Sequence, residues 1–384
     1  MSRPHRVLHV ITTTMVGGAE IQLVRLIAAS DPEQFRHTVV GLGPEGPLAE
    51  AMRRAGAEVV NLGLEPTVGA VHKGVERLAR ILRRMRPDLV QGWMYHANLL
   101  GLAAARLAGV GPVIWGVFCS NMEMDKYGPS TRLLVKACVL ASRQPVAIVS
   151  NSYVGVEFHV AQGYPRSTML VIPNGFDTEN YRPDPQVRAE LRAELDLNQE
   201  HLLIGKVARF DPMKDHRSLL KAAAEVIREF PRARFVTLGL GMEPNNPKLR
   251  AAVTPPLAGH FFLEGRRQDV PRWLKALDVH VSSSAFGEGL SNAVGEAMAT
   301  GVPNVVTRVG DSGRLVGDTG LVVPPRQPMA LANSLKAVLS LSTQERRDLG
   351  LAARRRIVEK YSLAVMARAF QNLYHRFLLP SHAH

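Results

Sequence analysis

Short apolar runs alternate with amphipathic stretches along almost the whole chain. Each run is rich in Val, Ile and Leu and is bounded by glycine, proline or polar residues, a pattern that predicts buried strands. Between the runs, apolar positions recur at helical spacing. The predicted strands are, in order, RVLHVI, HTVVGL, AEVVNL, DLVQGW, VIWGVF, VAIVSNS, LLIGKVARF, RFVTLGLG, HFFLEG, DVHVSSS, PNVVT and GLVVPP. Strands that alternate with helices predict an α/β fold with parallel sheets covered by helices on both faces.

The chain is too long for one ordinary core, and its predicted strands fall into two series. A length of 384 residues suits two domains. The two series are separated by Pro173 and by a charged helical stretch from Val187 to Leu195. We therefore place one doubly wound domain at residues 1–173 and a second at residues 174–361. We expect a C-terminal helix, about residues 362–384, to pack back on the first domain.

The stretch FGEGLSNAVGEAMATGVP, from Phe286 to Pro303, carries two carboxylates among small and apolar residues. Glu288 lies between two glycines, which predicts a loop. Asn292 is a good N-cap residue, so a helix is predicted from there, with Glu296 on its first turn. Glu296 comes one residue too late to close a capping box with Asn292. Either carboxylate alone also fits an ordinary exposed side chain.

Two other segments carry groups suited to an anion. In KVARFDPMKDH, a strand is predicted to end at Arg209 and Lys214 follows a turn, and a guanidinium fork with an ammonium suits a diphosphate. In TTTMVGGAE, Gly17 and Gly18 open a helix whose N-terminus favours an anion, although a plain tight turn remains an alternative. Carboxylates, in contrast, accept hydrogen bonds from sugar hydroxyls. Cations and carboxylates together predict a ligand in which a sugar is joined to a diphosphate, namely a nucleotide sugar.

The spacing of Glu288 and Glu296 resembles the E-x7-E motif of the retaining glycosyltransferases of family 4. Further segments resemble that family in the same order along the chain. They are GGAE, YHANLLG, SNS, VIPNGFDTENYRP, VARFDPMKDH and GDTGLVVPP. The resemblance covers nearly the whole chain and implies the GT-B fold, in which two Rossmann-like domains face each other across a cleft. The donor nucleotide is then expected mainly on the C-terminal domain.

The resemblance also implies roles for the cations and the glycines. Arg209 and Lys214 would bind the diphosphate and stabilise it as a leaving group. Gly17 and Gly18 would approach the same diphosphate from the N-terminal domain. The sequence has no D-x-D motif, so no metal ion and no cofactor are expected. The departing phosphate, rather than a protein base, is then expected to help deprotonate the acceptor.

The remaining roles concern the sugar and the nucleoside. Glu288 would hold hydroxyls of the transferred sugar, Glu296 would hold the ribose hydroxyls, and His96 would lie near the reacting carbon. We take His96, Arg209, Lys214 and Glu288 as the candidate catalytic residues. The supporting donor-binding candidates are Asn174, Asn292, Gly265 and Arg267.

The chain departs from the family pattern in two places. Leu290 and Ser291 stand where the family often has phenylalanine and proline, which leaves the hydroxyl selectivity of the sugar site open. FCSNMEMDKYG, residues 118–128, matches nothing in the family pattern, and we interpret it as an acceptor loop.

The composition indicates in which cellular compartment the protein works and which class of partner it binds. Hydrophobic residues make up 46% and charged residues 21%, as in ordinary soluble proteins. Two cysteines, Cys119 and Cys138, match no metal-binding spacing and suit a reducing compartment. Neither a secretory signal nor an apolar run of about 20 residues occurs, so we expect a cytoplasmic protein. The net charge of +13 favours anionic partners.

An arginine-rich helix is one candidate contact for such a partner. VERLARILRRMRP places Val75, Leu78, Leu82 and Met85 on one helical face and arginines on the others. This pattern fits an ordinary amphipathic helix packed on the N-terminal sheet. It also fits a peripheral contact with the acidic surface of the inner membrane, which would suit a polyprenyl-linked glycan acceptor. No nucleic-acid-binding module is recognisable, so we expect no nucleic-acid partner.

The sequence therefore predicts a retaining, metal-independent hexosyltransferase. It would move a sugar from a nucleotide sugar, uridine-linked by family frequency, to a glycan or lipid-linked glycan in lipopolysaccharide or other cell-surface polysaccharide synthesis. Two alternatives stay open. One is a nucleotide-sugar epimerase of related fold, and the other is a non-catalytic binding protein on the same scaffold.

Overall fold

The computed structural model describes residues 3–65, 68–120 and 128–378. The chain divides into two compact units. The first consists of Met1–Gly175 with Leu363–His384, and the second of Phe176–Ser362. Each unit holds one parallel sheet.

The first unit has a seven-stranded sheet in the order β3-β2-β1-β4-β5-β6-β7. Its strands are β1 (His5–Ile11), β2 (Phe35–Gly41), β3 (Glu58–Asn61), β4 (Leu89–Trp93), β5 (Val113–Val117), β6 (Ala147–Ser150) and β7 (Met169–Val171). Its helices are α1 (Gly18–Ala29), α2 (Leu48–Arg54), α3 (Val68–Met85), α4 (Tyr95–Ala108), α5 (Pro129–Ala141), α6 (Tyr153–Ala161) and, from the far end of the chain, α16 (Leu363–Leu378). The strand order reverses at β1, which pairs with both β2 and β4.

Continuous apolar runs form these strands because both faces of the sheet are covered. Along β1, Leu8 and Val10 pack with residues of α3, α4 and α5. Val7 and Ile11 point to the other face and pack with residues of α1 and α16. Helix α16 contributes Met366, Phe370, Leu373 and Tyr374 to this second cluster, which explains why it belongs to the first unit.

The second unit has a six-stranded sheet in the order β10-β9-β8-β11-β12-β13. Its strands are β8 (Leu202–Val207), β9 (Ala233–Leu238), β10 (Phe261–Gly265), β11 (Val279–Ser282), β12 (Asn304–Thr307) and β13 (Gly320–Val323). Its helices are α7 (Pro185–Glu194), α8 (His216–Glu229), α9 (Pro247–Ala252), α10 (Pro255–Ala258), α11 (Val270–Ala276), α12 (Asn292–Ala299), α13 (Ser312–Val316), α14 (Pro328–Leu339) and α15 (Thr343–Tyr361). The strand order reverses between β8 and β11, so the loops after these two strands meet at the switch point.

The structure differs from the sequence predictions in local details. Strand β8 ends at Val207 rather than at Arg209, and β7 is a three-residue strand that the apolar pattern did not predict. The N-cap of α12 is Ser291 instead of Asn292, so Glu296 begins the second turn rather than lying on the first. The sequence prediction was one residue off because Ser and Asn both suit the N-cap position.

Helix α3 buries the apolar face that the sequence identified. Leu78 and Leu82 are fully buried, and Val75 and Met85 pack against the same core cluster. Its arginines remain at the surface. In the part of the chain that the structure describes, no helix is both long enough and apolar enough to span a bilayer.

Candidate active site

The turn between β8 and α8 presents Arg209 to solvent. The Arg209 side chain is 59% exposed, and its Nε donates a hydrogen bond of 3.0 Å to Asp211. Asp211 in turn accepts from the backbone N–H of Met213, which caps a short 3-10 turn over Pro212–Lys214. Asp215 then caps α8 by accepting from the N–H of Ser218. Two aspartate caps therefore fix the turn, while the guanidinium stays accessible.

Lys214 lies at the end of this turn and donates to the Glu288 carboxylate from its ammonium. Ser284 donates a second hydrogen bond, of 2.7 Å, to the same carboxylate oxygen. The two side chains are only 18% and 10% exposed. Burial alone would raise the pKa of Glu288, but the charge and hydrogen bond of Lys214, with help from Ser284 and Lys206, hold that pKa below its ordinary value. The structure thus brings together Lys214, which was predicted to bind the diphosphate, and Glu288, which was predicted to bind the sugar.

Beneath this pair lies Lys206, a residue that the sequence analysis missed. It belongs to β8, is 3% exposed, and donates from Nζ to the carbonyl oxygen of Lys214 at 2.5 Å and to the hydroxyl of Ser283. Burial, together with the charge of Lys214, lowers the pKa of Lys206 to about 7. Lys206 therefore holds the backbone of Lys214 against the end of β11. A lysine inside the apolar run LLIGKV was the signal that could have revealed it.

The loop that carries Glu288 requires glycine at one position. Gly287 has φ of +78°, and a Cβ built there would lie 2.5 Å from the sulfur of Met213. A side chain at this position would be strained and would displace the turn that holds Lys214. The glycine before Glu288 therefore lets the loop after β11 pack tightly on the loop after β8.

Helix α12 places Asn292 and Glu296 beside this loop. Glu296 is 8% exposed, so it is buried, and the alternative of an ordinary exposed carboxylate does not hold for it. The helix is anchored by Val294 and Met298, which join a core cluster with Phe176. Asn292 and Glu296 are one helical turn apart and lie on the same side of α12.

Gly265 and Arg267 lie apart from the Lys214–Glu288 pair. They come at and after the end of β10, the edge strand, which β9 separates from β8. The Arg267 guanidinium donates to both carboxylate oxygens of Asp269, at 2.8 and 2.9 Å, and stacks over Trp273. The structure therefore positions Arg267 at one side of the sheet edge, with its guanidinium already engaged.

In the first unit, Gly17 and Gly18 cap and open α1, directly after the β1 loop. A Cβ on Gly17 would lie 2.3 Å from a carboxylate oxygen of Glu20. Burial raises the pKa of Glu20. An acidic side chain therefore lies against the helix N-terminus where an anion was expected, a feature that the sequence analysis did not anticipate.

His96 is the second residue of α4, directly after β4, the strand beside β1. Its side chain is exposed and has no hydrogen-bond or ion-pair partner among the residues that the structure describes. Partial burial lowers the pKa of His96, so its imidazole is neutral at pH 7. Met94, just before α4, has φ of 71° and ψ of 169°, a conformation that is costly for a residue with a side chain and that clusters at functional sites.

The other predicted residues have mixed outcomes. Asn174 is buried and accepts a hydrogen bond of 3.2 Å from the Asn151 amide, within the first unit. Residues 121–127 of the predicted acceptor loop lie outside the described residues. Within the described ranges, no group of three or more His, Cys, Asp or Glu side chains is arranged to hold a metal ion.

Comparisons with known proteins assign the family. A model described as Glycosyltransferase Family 4 matches residues 16–180, and one described as Glycosyl transferases group 1 matches residues 201–340. The putative glycosyltransferase EpsF of Bacillus subtilis is 32% identical over 323 residues, which are 80% of this chain and 80% of that protein. The chain belongs to glycosyltransferase family 4. The resemblance seen in the sequence is confirmed, and the chain is a glycosyltransferase.

One further relative of this family 4 member agrees in class, and one solved structure agrees in fold. A galactosyltransferase of Escherichia coli, named for UDP-Gal and an α-D-GlcNAc-diphosphoundecaprenol acceptor, is 29% identical over 249 residues, 64% of each protein. The structure of HepE from Anabaena with UDP-glucose has a TM-score of 0.84 and 20% identity, over 97% of this chain and 99% of that one. This likeness confirms the predicted GT-B fold class.

Proposed function

We propose that this glycosyltransferase moves a hexosyl unit from a uridine diphosphate sugar to a glycan or lipid-linked glycan, with retention of the anomeric configuration and without a metal ion. The observation that carries the proposal is the Lys214–Glu288 pair beside the exposed Arg209, at the switch point of the second unit. Cations suit a diphosphate, and a carboxylate suits sugar hydroxyls. One small region therefore has both chemistries that a nucleotide sugar requires.

Donor binding exchanges the partners of the pair. The Lys214 ammonium then binds the diphosphate, and the Glu288 carboxylate becomes available to accept hydrogen bonds from hydroxyls of the transferred sugar. Arg209 binds the diphosphate with its accessible fork. Each charge-assisted hydrogen bond of this kind contributes about 1.5–3 kcal/mol. Glu296 is assigned to the ribose because it is buried on α12, beside the loop of Glu288.

In the reaction, the bond between the anomeric carbon and the diphosphate oxygen breaks. The acceptor hydroxyl oxygen forms the new bond on the same face, and its proton passes to the departing diphosphate. Negative charge grows on that diphosphate, so Arg209 and Lys214 stabilise the transition state more than the ground state. These two cations supply the positive charge that a metal ion would otherwise provide. His96 is assigned to the reacting sugar because its neutral imidazole is exposed and unpartnered among the described residues.

The names of two similar proteins support the donor and the acceptor class. HepE was solved with UDP-glucose, and the E. coli relative is named for a UDP-linked donor and a diphosphoundecaprenol-linked acceptor. We propose by analogy a UDP-linked donor and a polyprenyl-linked acceptor. The same analogy supports a role in polysaccharide synthesis, and we propose that it takes place at the cytoplasmic face of the inner membrane.

Thermal unfolding with UDP, GDP, ADP, CMP and NAD, each with a chelator present, tests the donor site. A ligand at 100 times its Kd stabilises the folded protein by about 2.7 kcal/mol, which is a clear shift in Tm. We expect a shift with UDP that the chelator does not reduce. No shift with any nucleotide would reject the donor site and favour a non-catalytic binding protein.

A product assay separates transfer from the remaining alternative. An epimerase converts UDP-glucose or UDP-galactose without an acceptor, whereas a transferase needs one. We expect no conversion of the donor alone beyond slow hydrolysis. With a polyprenyl diphosphate sugar added, we expect UDP release and a product whose anomeric proton coupling matches that of the donor.

A further inference from the structure

Helix α5 exposes large apolar side chains on the face that points away from the core. Leu133 is 69% exposed and Leu140 is 83% exposed, which makes Leu140 the most exposed of the large hydrophobic residues in the described part of the chain. They are seven residues apart, two turns along the same face. On the opposite side of the helix, Val135 and Cys138 are buried in the core cluster. Single exposed leucines are common on protein surfaces, whereas exposed apolar side chains grouped on one face and flanked by polar residues indicate an interaction surface.

Basic side chains flank these leucines. Arg132, Leu133, Lys136 and Leu140 all fall within about 100° around the helix axis, and Arg143 follows just after the helix ends. We call these five residues the α5 face. Lys136 and Arg143 form no ion pair or hydrogen bond with any residue that the structure describes. From residue 128 to residue 146 the chain has three basic residues and no acidic one.

The α5 face has the two features that an anionic bilayer surface requires. Leucines enter the boundary between headgroups and acyl chains, while lysine and arginine extend toward the lipid phosphates. A protein partner would need carboxylates opposite this face, whereas an anionic bilayer carries negative charge everywhere along its surface. The net charge of +13 acts in the same direction.

The arginine-rich helix α3 lacks one of these features. Its leucines, Leu78 and Leu82, are fully buried. Two of its arginines donate to backbone carbonyl oxygens, Arg77 to Leu62 and Arg83 to Leu107, each at 2.7 Å. Helix α3 therefore offers cations but no exposed leucine to insert.

We propose that the α5 face, rather than α3, is the surface through which this protein contacts an anionic membrane. The inference rests on the proposed function for its purpose, since a lipid-linked acceptor is met at a bilayer. Its physical basis is independent, because exposed leucines beside Lys136 and Arg143, which have no partner among the described residues, attract such a surface whatever reaction the protein catalyses.

Flotation of the full-length protein with lipid vesicles tests the proposal. The vesicles contain phosphatidylcholine alone or phosphatidylcholine with phosphatidylglycerol. We expect binding only to the anionic vesicles. The double variant L133S/L140S should reduce the partition coefficient at least about tenfold, because two leucine side chains no longer leave water. K136E/R143E should reduce it about 25-fold or more, at about fivefold for each cation lost.

A matched control on α3 distinguishes the two helices. R80E/R84E makes the same change in net charge as K136E/R143E. It should reduce binding by less than about threefold, because α4 packs against both helices and separates α3 from α5, and charges farther away than the Debye length of about 10 Å are screened. The proposal would be overturned if the partition of the wild type did not depend on anionic lipid. It would also be overturned if L133S/L140S bound the anionic vesicles as well as the wild type does. Binding to native membranes that protease treatment of the membranes abolishes would also overturn it, in favour of a protein partner.

Nucleotide binding keeps this test separate from the proposed function. The side chains of the α5 face are exposed, so the variants should keep the wild-type Tm and its shift with UDP. A protein that floats with anionic vesicles but ignores every nucleotide would refute the donor site and leave the α5 face supported. A protein that binds UDP but never floats with vesicles would refute the α5 face and leave the donor site supported.

Discussion

Lys214 and Glu288 are 74 residues apart in the sequence and form an ion pair in which both side chains are largely buried. Lys214 ends the turn after β8, and Glu288 lies in the loop after β11, so the pair joins the two strands at the switch point of the second sheet. Each charge has its partner in a place that water barely reaches. Removing either partner would leave the other charge buried and uncompensated, and the pair keeps both groups oriented before any ligand binds.

We expect the two residues to be coupled in stability. K214M or E288Q alone should lower the free energy of unfolding by about 1–3 kcal/mol, because each leaves a buried polar group without its partner. K214M/E288Q should cost less than the sum, by about 1 kcal/mol or more. Chemical denaturation of the four proteins measures this cycle. Strict additivity would mean that the two side chains do not interact in solution.

The same pair predicts a dependence on acid. The pKa of Glu288 is lowered in the folded state, so its stabilisation is fully present above its ordinary pKa of 4.5. It is lost as the pH falls from 4.5 through the lower folded value. The difference in unfolding free energy between wild type and E288Q should therefore shrink between pH 5 and pH 3, and a constant difference would contradict the assignment.

Arg209 should matter for turnover and hardly at all for folding. R209A should lower kcat about 100-fold or more, because one cation no longer stabilises the leaving diphosphate. Its Tm should stay at the wild-type value, since the guanidinium is mostly exposed and pairs with Asp211 near the surface. R217A, at an exposed arginine of α8, is the control and should keep wild-type activity. Near-normal turnover of folded R209A would remove Arg209 from the mechanism.

The sequence predicted most of the strands and the division into two sheets. Parallel strands buried on both faces appear as continuous apolar runs with clear ends, so β1 and β8 could be identified without any tertiary information. Strand β7 could not, because three residues show no period. The loops after β8 and β11 could be expected to meet, because ligands bind where the strand order reverses.

Burial and pairing could not be predicted. Glu288 and Glu296 fit exposed carboxylates in the sequence, and only tertiary packing makes both of them 8% exposed. A lysine inside an apolar run marks Lys206 as unusual, but the sequence does not show that it contacts Lys214 and Ser283. The exposure of Leu133 and Leu140 on α5 could not be predicted either, since their spacing suits a buried stripe as well as a surface one.

Lys206 should make the stability of the protein depend on alkaline pH. Its pKa is about 7 in the folded state, against an ordinary value of 10.5. The unfolded chain therefore binds more protons between these values, and the free energy of unfolding rises as the pH rises through that window. The destabilisation is fully present below pH 7 and is relieved by pH 10.5. Over the window, wild type should gain up to about 4 kcal/mol relative to K206M.

Chemical denaturation at pH 7, 8, 9 and 10 measures that difference. K206R is the control, because a guanidinium stays charged throughout and should show no gain relative to K206M. A wild-type curve parallel to that of K206M would show that Lys206 keeps its ordinary pKa.

His96 should affect catalysis without affecting stability. H96A should lower kcat and leave the Kd for UDP unchanged, since the proposed role of His96 concerns the sugar. Partial burial lowers the pKa of His96 below its ordinary value of 6.5, so the imidazole is neutral near pH 7, and we expect this neutral form to be the active one. Wild-type kcat should stay level above pH 6.5 and fall as the pH drops through the folded pKa, and H96A should lack that fall.

The contact between Gly295 and Phe176 should limit what α12 tolerates. A Cβ on Gly295 would lie 2.1–2.5 Å from atoms of the Phe176 ring, and that ring is fully buried. G295A must therefore displace either the ring or the helix that carries Asn292 and Glu296. We expect the free energy of unfolding to fall by about 1–3 kcal/mol, and we expect the Kd for UDP to rise as α12 moves.

Gly313 on α13 is the matched control, because its Cβ would meet only Val322, at 3.5 Å. G313A should be neutral or stabilising by up to about 1 kcal/mol, so two alanine substitutions in helices of the same unit are predicted to have opposite effects. Equal stability of G295A and G313A in denaturant unfolding would show that α12 does not pack on Phe176 in solution.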